Sequence, residues 1–243
     1  MTGTLALARL EMLRVLRNKR YLIFTVGLPV VLYLAIGKTS TASVYGGVAF
    51  KAYYMIAMAS IGAFSGALTG NAQRISQERK DGWIRQLRIT SLPAGGYVIA
   101  KIIASMVTSV PWIVIVLALG RFYGGVQLPA WKWVVIGVAI WLGSMTFAAL
   151  AVAIGYRFMP DTVQPMTMLV YLFMSVLGGL WFAVGGTMQK FAQGLPTYQI
   201  TRIGTDVILN GTVSMTAVAV ILAWLAGFII LAALSVRSTA ERI

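Results

Sequence analysis

The side chains that usually carry catalysis or bind metals are scarce in this sequence. It contains no His and no Cys, which excludes imidazole and thiolate metal sites, Ser/His hydrolase chemistry and disulfide bonds. Only six carboxylates occur, namely Glu11, Glu78, Asp81, Asp161, Asp206 and Glu241. We therefore expect no enzyme activity and no metal site in this chain.

A Gly-Lys-Thr triplet, residues 37–39, is the only part that looks like a nucleotide-binding motif. A phosphate-binding P-loop needs a glycine five positions before its final glycine, and that position is Leu32. The triplet also ends an apolar run instead of joining a strand to a helix. We therefore expect that this chain does not bind ATP by that route.

The composition predicts that most of the chain forms membrane helices. Of the 243 residues, 59% are hydrophobic and 11% are charged, whereas soluble domains have about 25% charged residues. A transmembrane helix needs about 20 apolar residues. Six runs qualify: 21–37, 53–70, 98–119, 133–154, 165–184 and 215–234. The sequence predicts one all-α transmembrane domain over residues 1–243, and any ATP-driven machinery must lie on another chain.

The distribution of Lys and Arg predicts the orientation in the membrane. Fourteen lie on the side of the termini: Arg9, Arg14, Arg17, Lys19, Arg20, Arg74, Arg79, Lys80, Arg85, Arg88, Lys101, Arg157, Arg237 and Arg242. Six lie opposite: Lys38, Lys51, Arg121, Lys132, Lys190 and Arg202. Because positive loops stay inside, both termini are predicted to be cytoplasmic. The same rule explains the net charge of +14 without nucleic-acid binding.

Residues 4–20 precede the first span and are predicted to form an interfacial helix. At 100° per residue the apolar side chains gather on one face, and Arg9, Arg17 and Arg20 gather on the other. Such a helix lies on the membrane surface, where its cations meet lipid phosphates. A disordered basic tail is the alternative.

Two groups of residues could serve helix packing or line a translocation path. Gly62, Gly66 and Gly70 recur at every fourth position of the second span, a spacing that allows close approach of another helix. Met168 and Met174 lie in the fifth span, where flexible thioethers could accept varied apolar cargo or fill gaps in a bundle. We favour packing in both cases, and the two roles are compatible.

A long segment, residues 74–92, lies between the second and third spans on the predicted cytoplasmic side. Its candidate interaction residues are Glu78, Arg79, Gly82, Trp83, Ile84, Arg85, Leu87 and Arg88. Part of this segment can form an amphipathic helix, with its apolar residues on one side and its cations on the other. Such a helix either floats on the membrane surface or docks in a groove of a soluble partner.

The outer connection, residues 186–211, contains two amphipathic stretches separated by Gly194, Leu195 and Pro196. It could form a re-entrant helical hairpin or an ordinary surface loop. The sequence does not distinguish these two alternatives.

The run from Glu78 through Gly82, Leu87, Thr90 and Leu92 to Tyr97 and Lys101 resembles a known motif. It is similar to the cytoplasmic loop in permease subunits of type-2 ABC exporters, of the drug-resistance and antibiotic-export group. The order of six spans, interfacial helix, loop and long outer connection extends the resemblance over nearly the whole chain.

The resemblance implies a plasma-membrane permease that exports an amphipathic drug, antibiotic or lipid-like substrate. It implies a second permease subunit, identical or related, and two copies of a separate ATPase subunit on which the segment 74–92 docks. By the same resemblance ATP and Mg²⁺ bind to the ATPase subunits, and this chain binds no cofactor directly. It also implies that the second and fifth spans line the path and that the first and fifth meet the partner permease. The alternative function is a stand-alone secondary transporter or channel, although no carboxylate lies in any of the six runs.

Overall fold

The computed structural model describes residues 9–10, 13, 19–39, 43–44, 47–83 and 94–240. In this part of the chain the helices are α1 (Lys19–Ile36), α2 (Phe50–Ser65), α3 (Asn71–Lys80), α4 (Ala94–Phe122), α5 (Ala130–Arg157), α6 (Pro160–Leu177), α7 (Gly186–Ala192), α8 (Pro196–Asn210) and α9 (Met215–Ala240). Strands β1 (Ser43–Val44) and β2 (Val48–Ala49) form a short antiparallel ribbon in which Ser43 pairs with Ala49.

Among the described residues, four helical segments are long and apolar enough to cross a membrane. They are Phe50–Lys80, Tyr97–Phe122, Ala130–Arg157 and Met215–Arg237. A shorter apolar helix spans Gly27–Ile36. The all-helical membrane class predicted from composition is therefore confirmed, whereas the number of six spans remains a prediction.

The helix that contains the second predicted span continues beyond Gly70. One π-helical turn, Gly66–Gly70, joins α2 directly to α3, so the helix continues to Lys80. Residues 74–80 of the predicted cytoplasmic segment 74–92 are therefore the last part of this helix. Polar residues with good helix propensity extend the helix, and α3 buries Ala72 and Ile75 where it packs against α5.

Helix α2 occupies the centre of the bundle. Every residue from 52 to 64 is buried, and α2 packs against α1, α4, α5 and α8. Phe64 of α2 stacks on Phe147 of α5 with ring centroids 4.5 Å apart. Because lipid gives little hydrophobic drive to helix association, such close packing holds membrane helices together.

The fifth predicted span, 165–184, corresponds to α6, which begins at Pro160 and ends at Leu177. Gly179 adopts φ +76°, a left-handed conformation that favours glycine, and the chain turns there. Helix α6 thus covers residues 165–177 of the run predicted as the fifth span. The outer connection 186–211 contains α7 and α8, and α8 packs against α2, α5 and α9.

The predicted interfacial helix 4–20 lies mostly outside the described residues. Arg9, Leu10 and Leu13 are helical and exposed. Arg20 falls in the first turn of α1, which begins at Lys19. Arg17 is among the residues that the structure leaves undescribed.

Candidate functional site

A buried ion pair links α3 to α4 on either side of residues 84–93. The Lys101 ammonium of α4 donates a hydrogen bond to Glu78 Oε1 of α3 over 2.7 Å. The Tyr97 hydroxyl, one turn before Lys101, donates to Glu78 Oε2 over 2.6 Å. Both oxygens of the carboxylate are thus held by α4.

Because both charged side chains are buried, their ion pair strongly constrains how α3 packs against α4. The side chains of Lys101 and Glu78 are only 1% and 9% exposed. A charge removed from water is stable only when it is paired and hydrogen-bonded. The Tyr97 ring adds an aromatic face whose centroid lies 5.3 Å from the ammonium, and it meets the Tyr156 ring edge-on at 6.3 Å. Helices α3 and α4 are therefore held together at this end of the bundle.

A second set of hydrogen bonds ties α3 to the turn between α5 and α6. The Ser76 hydroxyl and the Arg79 guanidinium both donate to the carbonyl oxygen of Phe158, over 2.8 and 2.7 Å. The Gln73 amide donates to the carbonyl oxygen of Pro160 over 3.4 Å. Any displacement of α3 must therefore move this turn or break these bonds.

Helix α3 also approaches α5 closely at Gly155. A Cβ atom added to Gly155 would lie 2.8 Å from Ile75 Cβ and 2.9 Å from the Ala72 carbonyl oxygen. Only glycine permits this approach. We name the ion pair, the bonds to residues 158–160 and the Gly155 contact together the polar junction.

The polar junction contains two of the predicted interaction residues, Glu78 and Arg79. The chain leaves it through Gly82, whose φ of +76° ends α3, and Trp83 follows with 40% of its surface exposed. The other predicted interaction residues fall outside the part of the chain that the structure describes: Ile84, Arg85, Leu87 and Arg88.

The residues predicted for packing or for a path lie on α2, on the π-helical turn that follows it and on α6. Gly62 faces Pro29 of α1 and Trp112 of α4, each 3.7 Å from an added Cβ. Gly66 and Gly70 begin and end the π-helical turn. Met174 is buried and Met168 is 56% exposed, both on α6. The two methionines therefore lie in different environments.

A polar cavity of about 290 Å³ lies where α7 and α8 meet α2. It is lined by Tyr53, Gln189, Tyr198, Thr201, Arg202 and Asp206, among others. Gln189 donates to the Tyr198 hydroxyl over 3.1 Å, and the Arg202 guanidinium lies 3.7 Å from the Asp206 carboxylate. This polar cavity therefore lies at the predicted outer connection, residues 186–211.

Sequence reasoning did not find the role of Lys101. The distribution of Lys and Arg places it among the cytoplasmic charges, although it falls inside the third predicted span, 98–119. A Lys within an apolar run demands a buried partner, and Tyr97 lies four positions earlier on the same helix face. That signal predicts a paired site on α4, but it does not identify Glu78 as the partner.

The fold and the polar junction define a multi-pass helical membrane protein with its polar network at one end of the bundle. Residues 37–236 match the family model of the ABC-2 family transporter proteins. The chain is also similar to YvfS of Bacillus subtilis (strain 168), a protein named as a transport permease. The two are 25% identical over 224 residues, which cover 91% of each chain.

The chain therefore belongs to the ABC-2 family of transporter proteins. It is a membrane subunit of an ABC transporter, as the resemblance of the 78–101 motif implied.

Proposed function

We propose that this chain is the permease of an ATP-driven exporter and that the polar junction transmits the movement of an ATPase subunit to the bundle. The observation that carries the proposal is the ion pair between Glu78 and Lys101, 2.7 Å apart. It joins the two helices on either side of residues 84–93, and most of these residues belong to the segment 74–92 on which the ATPase would dock.

The contacts between α3 and α4 favour a mechanism in which the two helices move together as a rigid unit. A force on residues 84–93 reaches α3 and α4 together, because Glu78 is bonded to both Tyr97 and Lys101. Helix α3 continues through the π-turn into α2, the most buried helix. The bonds from Ser76 and Arg79 to Phe158 carry the same movement to α6. Switching between inward and outward access needs such a coupled element.

In the proposed assembly two copies of an ATPase subunit bind ATP and Mg²⁺, and a second permease chain completes the path. Helices α1, α2, α4, α5, α6 and α9 are the six spans of a plasma-membrane protein with cytoplasmic termini.

Helix α6 suits a contact with the second permease chain, because its side chains Leu169 and Phe173 are 64% and 59% exposed. The cavity beside Tyr53 at the predicted outer connection suits the polar end of an amphipathic substrate.

Trp83→Ala, alone and with Leu87→Ala, tests the docking. We expect at least tenfold weaker retention of the ATPase when the tagged chain is purified from its host in mild detergent. Exposed aromatic anchors at interfaces carry about 2 kcal/mol or more, and 1.4 kcal/mol is already tenfold. The measurement is the amount of co-purified ATPase and its hydrolysis rate.

Phe191→Ala is the matched control, because this aromatic side chain is 76% exposed on α7, away from the polar junction. It should leave ATPase retention unchanged. A chain that purifies alone and moves solute across liposomes without ATP would instead be a stand-alone transporter or channel, and the proposal would be wrong.

A further inference from the structure

An apolar groove of about 550 Å³ runs between the end of α5 and the last part of α9. It is lined by Ala153, Ile154, Phe158, Leu231 and Leu234, with Arg157 and Ser235. Leu231 and Leu234 are 46% and 58% exposed. The groove therefore opens to the side of the bundle, where a membrane helix meets lipid.

The groove carries one cation. Arg157 is exposed, and in the described part of the chain it forms no ion pair. The Ser235 hydroxyl is directed to the Leu231 carbonyl oxygen over 2.8 Å. The site thus combines an apolar channel with a guanidinium, a group that binds phosphate through two parallel hydrogen bonds.

We propose that this groove binds an anionic phospholipid, with the phosphate on Arg157 and an acyl chain along Phe158, Leu231 and Leu234. Basic sites between membrane helices favour anionic head groups in this way. A second copy of the chain is a poor occupant, because it has 6 acidic residues against 20 basic ones and seldom offers a carboxylate to Arg157.

The lipid would touch the polar junction. Phe158 lines the groove, and its carbonyl oxygen accepts the hydrogen bonds from Ser76 and Arg79. A bound lipid would therefore stabilise the turn that links α5 to α6. Binding itself requires only the membrane location of the chain, so it can be measured without the proposed ATPase.

The test uses the purified full chain, delipidated in detergent, and native mass spectrometry. Palmitoyl-oleoyl phosphatidylglycerol is compared with the matching phosphatidylcholine and with glycerol 3-phosphate, which has no acyl chain. We expect phosphatidylglycerol to bind about fivefold more tightly than phosphatidylcholine, the factor for one interfacial cation. Glycerol 3-phosphate should not compete. Arg157→Gln should abolish the preference, and Arg157→Lys should retain most of it.

Arg121→Gln is the matched control. Arg121 is also exposed, but it lies near the end of α4 and is not among the residues that line the groove. It should leave the preference unchanged. An equal loss in both variants would show general attraction to a basic surface. An undiminished preference in Arg157→Gln, or effective competition by glycerol 3-phosphate, would equally overturn the proposal.

Discussion

Lys101→Met should lower the free energy of unfolding by about 3–5 kcal/mol, the usual loss when one member of a buried ion pair is removed. The variant leaves the Glu78 carboxylate, 9% exposed, without the ammonium that lies 2.7 Å away in the native protein. The measurement is denaturation in mixed micelles, supported by the temperature at which the detergent-solubilised chain aggregates.

A double variant distinguishes the effect of the unpaired Glu78 carboxylate from the effect of the packing lost with the Lys101 side chain. Glu78→Gln removes the negative charge and keeps an oxygen to accept the Tyr97 hydroxyl. Combined with Lys101→Met, it should recover at least half of the loss, because uncharged groups are far less costly to bury. Lys190→Met, at an exposed position of α7, should change stability by less than about 0.5 kcal/mol.

Two results would contradict this account of the polar junction. A loss below about 1 kcal/mol in Lys101→Met would mean that water reaches the carboxylate. Additive losses in the double variant would mean that Glu78 and Lys101 do not interact energetically.

The sequence could predict where the long helices lie. The apolar runs 53–70, 98–119, 133–154 and 215–234 each fall within one of the long apolar helical segments. A predominantly apolar run of this length has one stable form in a bilayer, because the backbone must satisfy its own hydrogen bonds. This signal is local, so it can be read without knowledge of the rest of the fold.

The end of the second helix could not be predicted in the same way. Hydropathy falls sharply after Gly70, and the sequence from Asn71 to Lys80 is polar. That fall indicates the end of an apolar span, but it does not indicate the end of a helix. The helix continues because Ala72, Ile75 and Ser76 are buried in a bundle in which α3 packs against α5, a tertiary effect that overrides local pattern.

The candidate site was found only in part for a similar reason. The motif contains Glu78, Tyr97 and Lys101, but their contact joins residues 19 and 23 positions apart on different helices. No helical or strand periodicity connects such residues. The hydrogen bond from Ser76 to Phe158 joins residues that are even farther apart in the sequence, by 82 positions.

Gly155→Ala should destabilise the chain by about 1–3 kcal/mol, the usual range for overpacking a close contact. The new methyl group would lie 2.8 Å from Ile75 Cβ and 2.9 Å from the backbone oxygen of Ala72. Neither atom is the end of a flexible side chain, so α3 itself must move away from α5. The hydrogen bonds from Ser76 and Arg79 to Phe158 would then lengthen, and the ATPase rate of the complex should fall with stability.

The control for this variant is Gly227→Ala on α9, where an added Cβ meets nothing within 4 Å. Replacing a helical glycine by alanine at an open position should be neutral or add up to about 1 kcal/mol. Both variants are measured by the same mixed-micelle denaturation. If Gly155→Ala were as stable as Gly227→Ala, α3 and α5 could separate without loss. The polar junction could then not transmit movement through their contact.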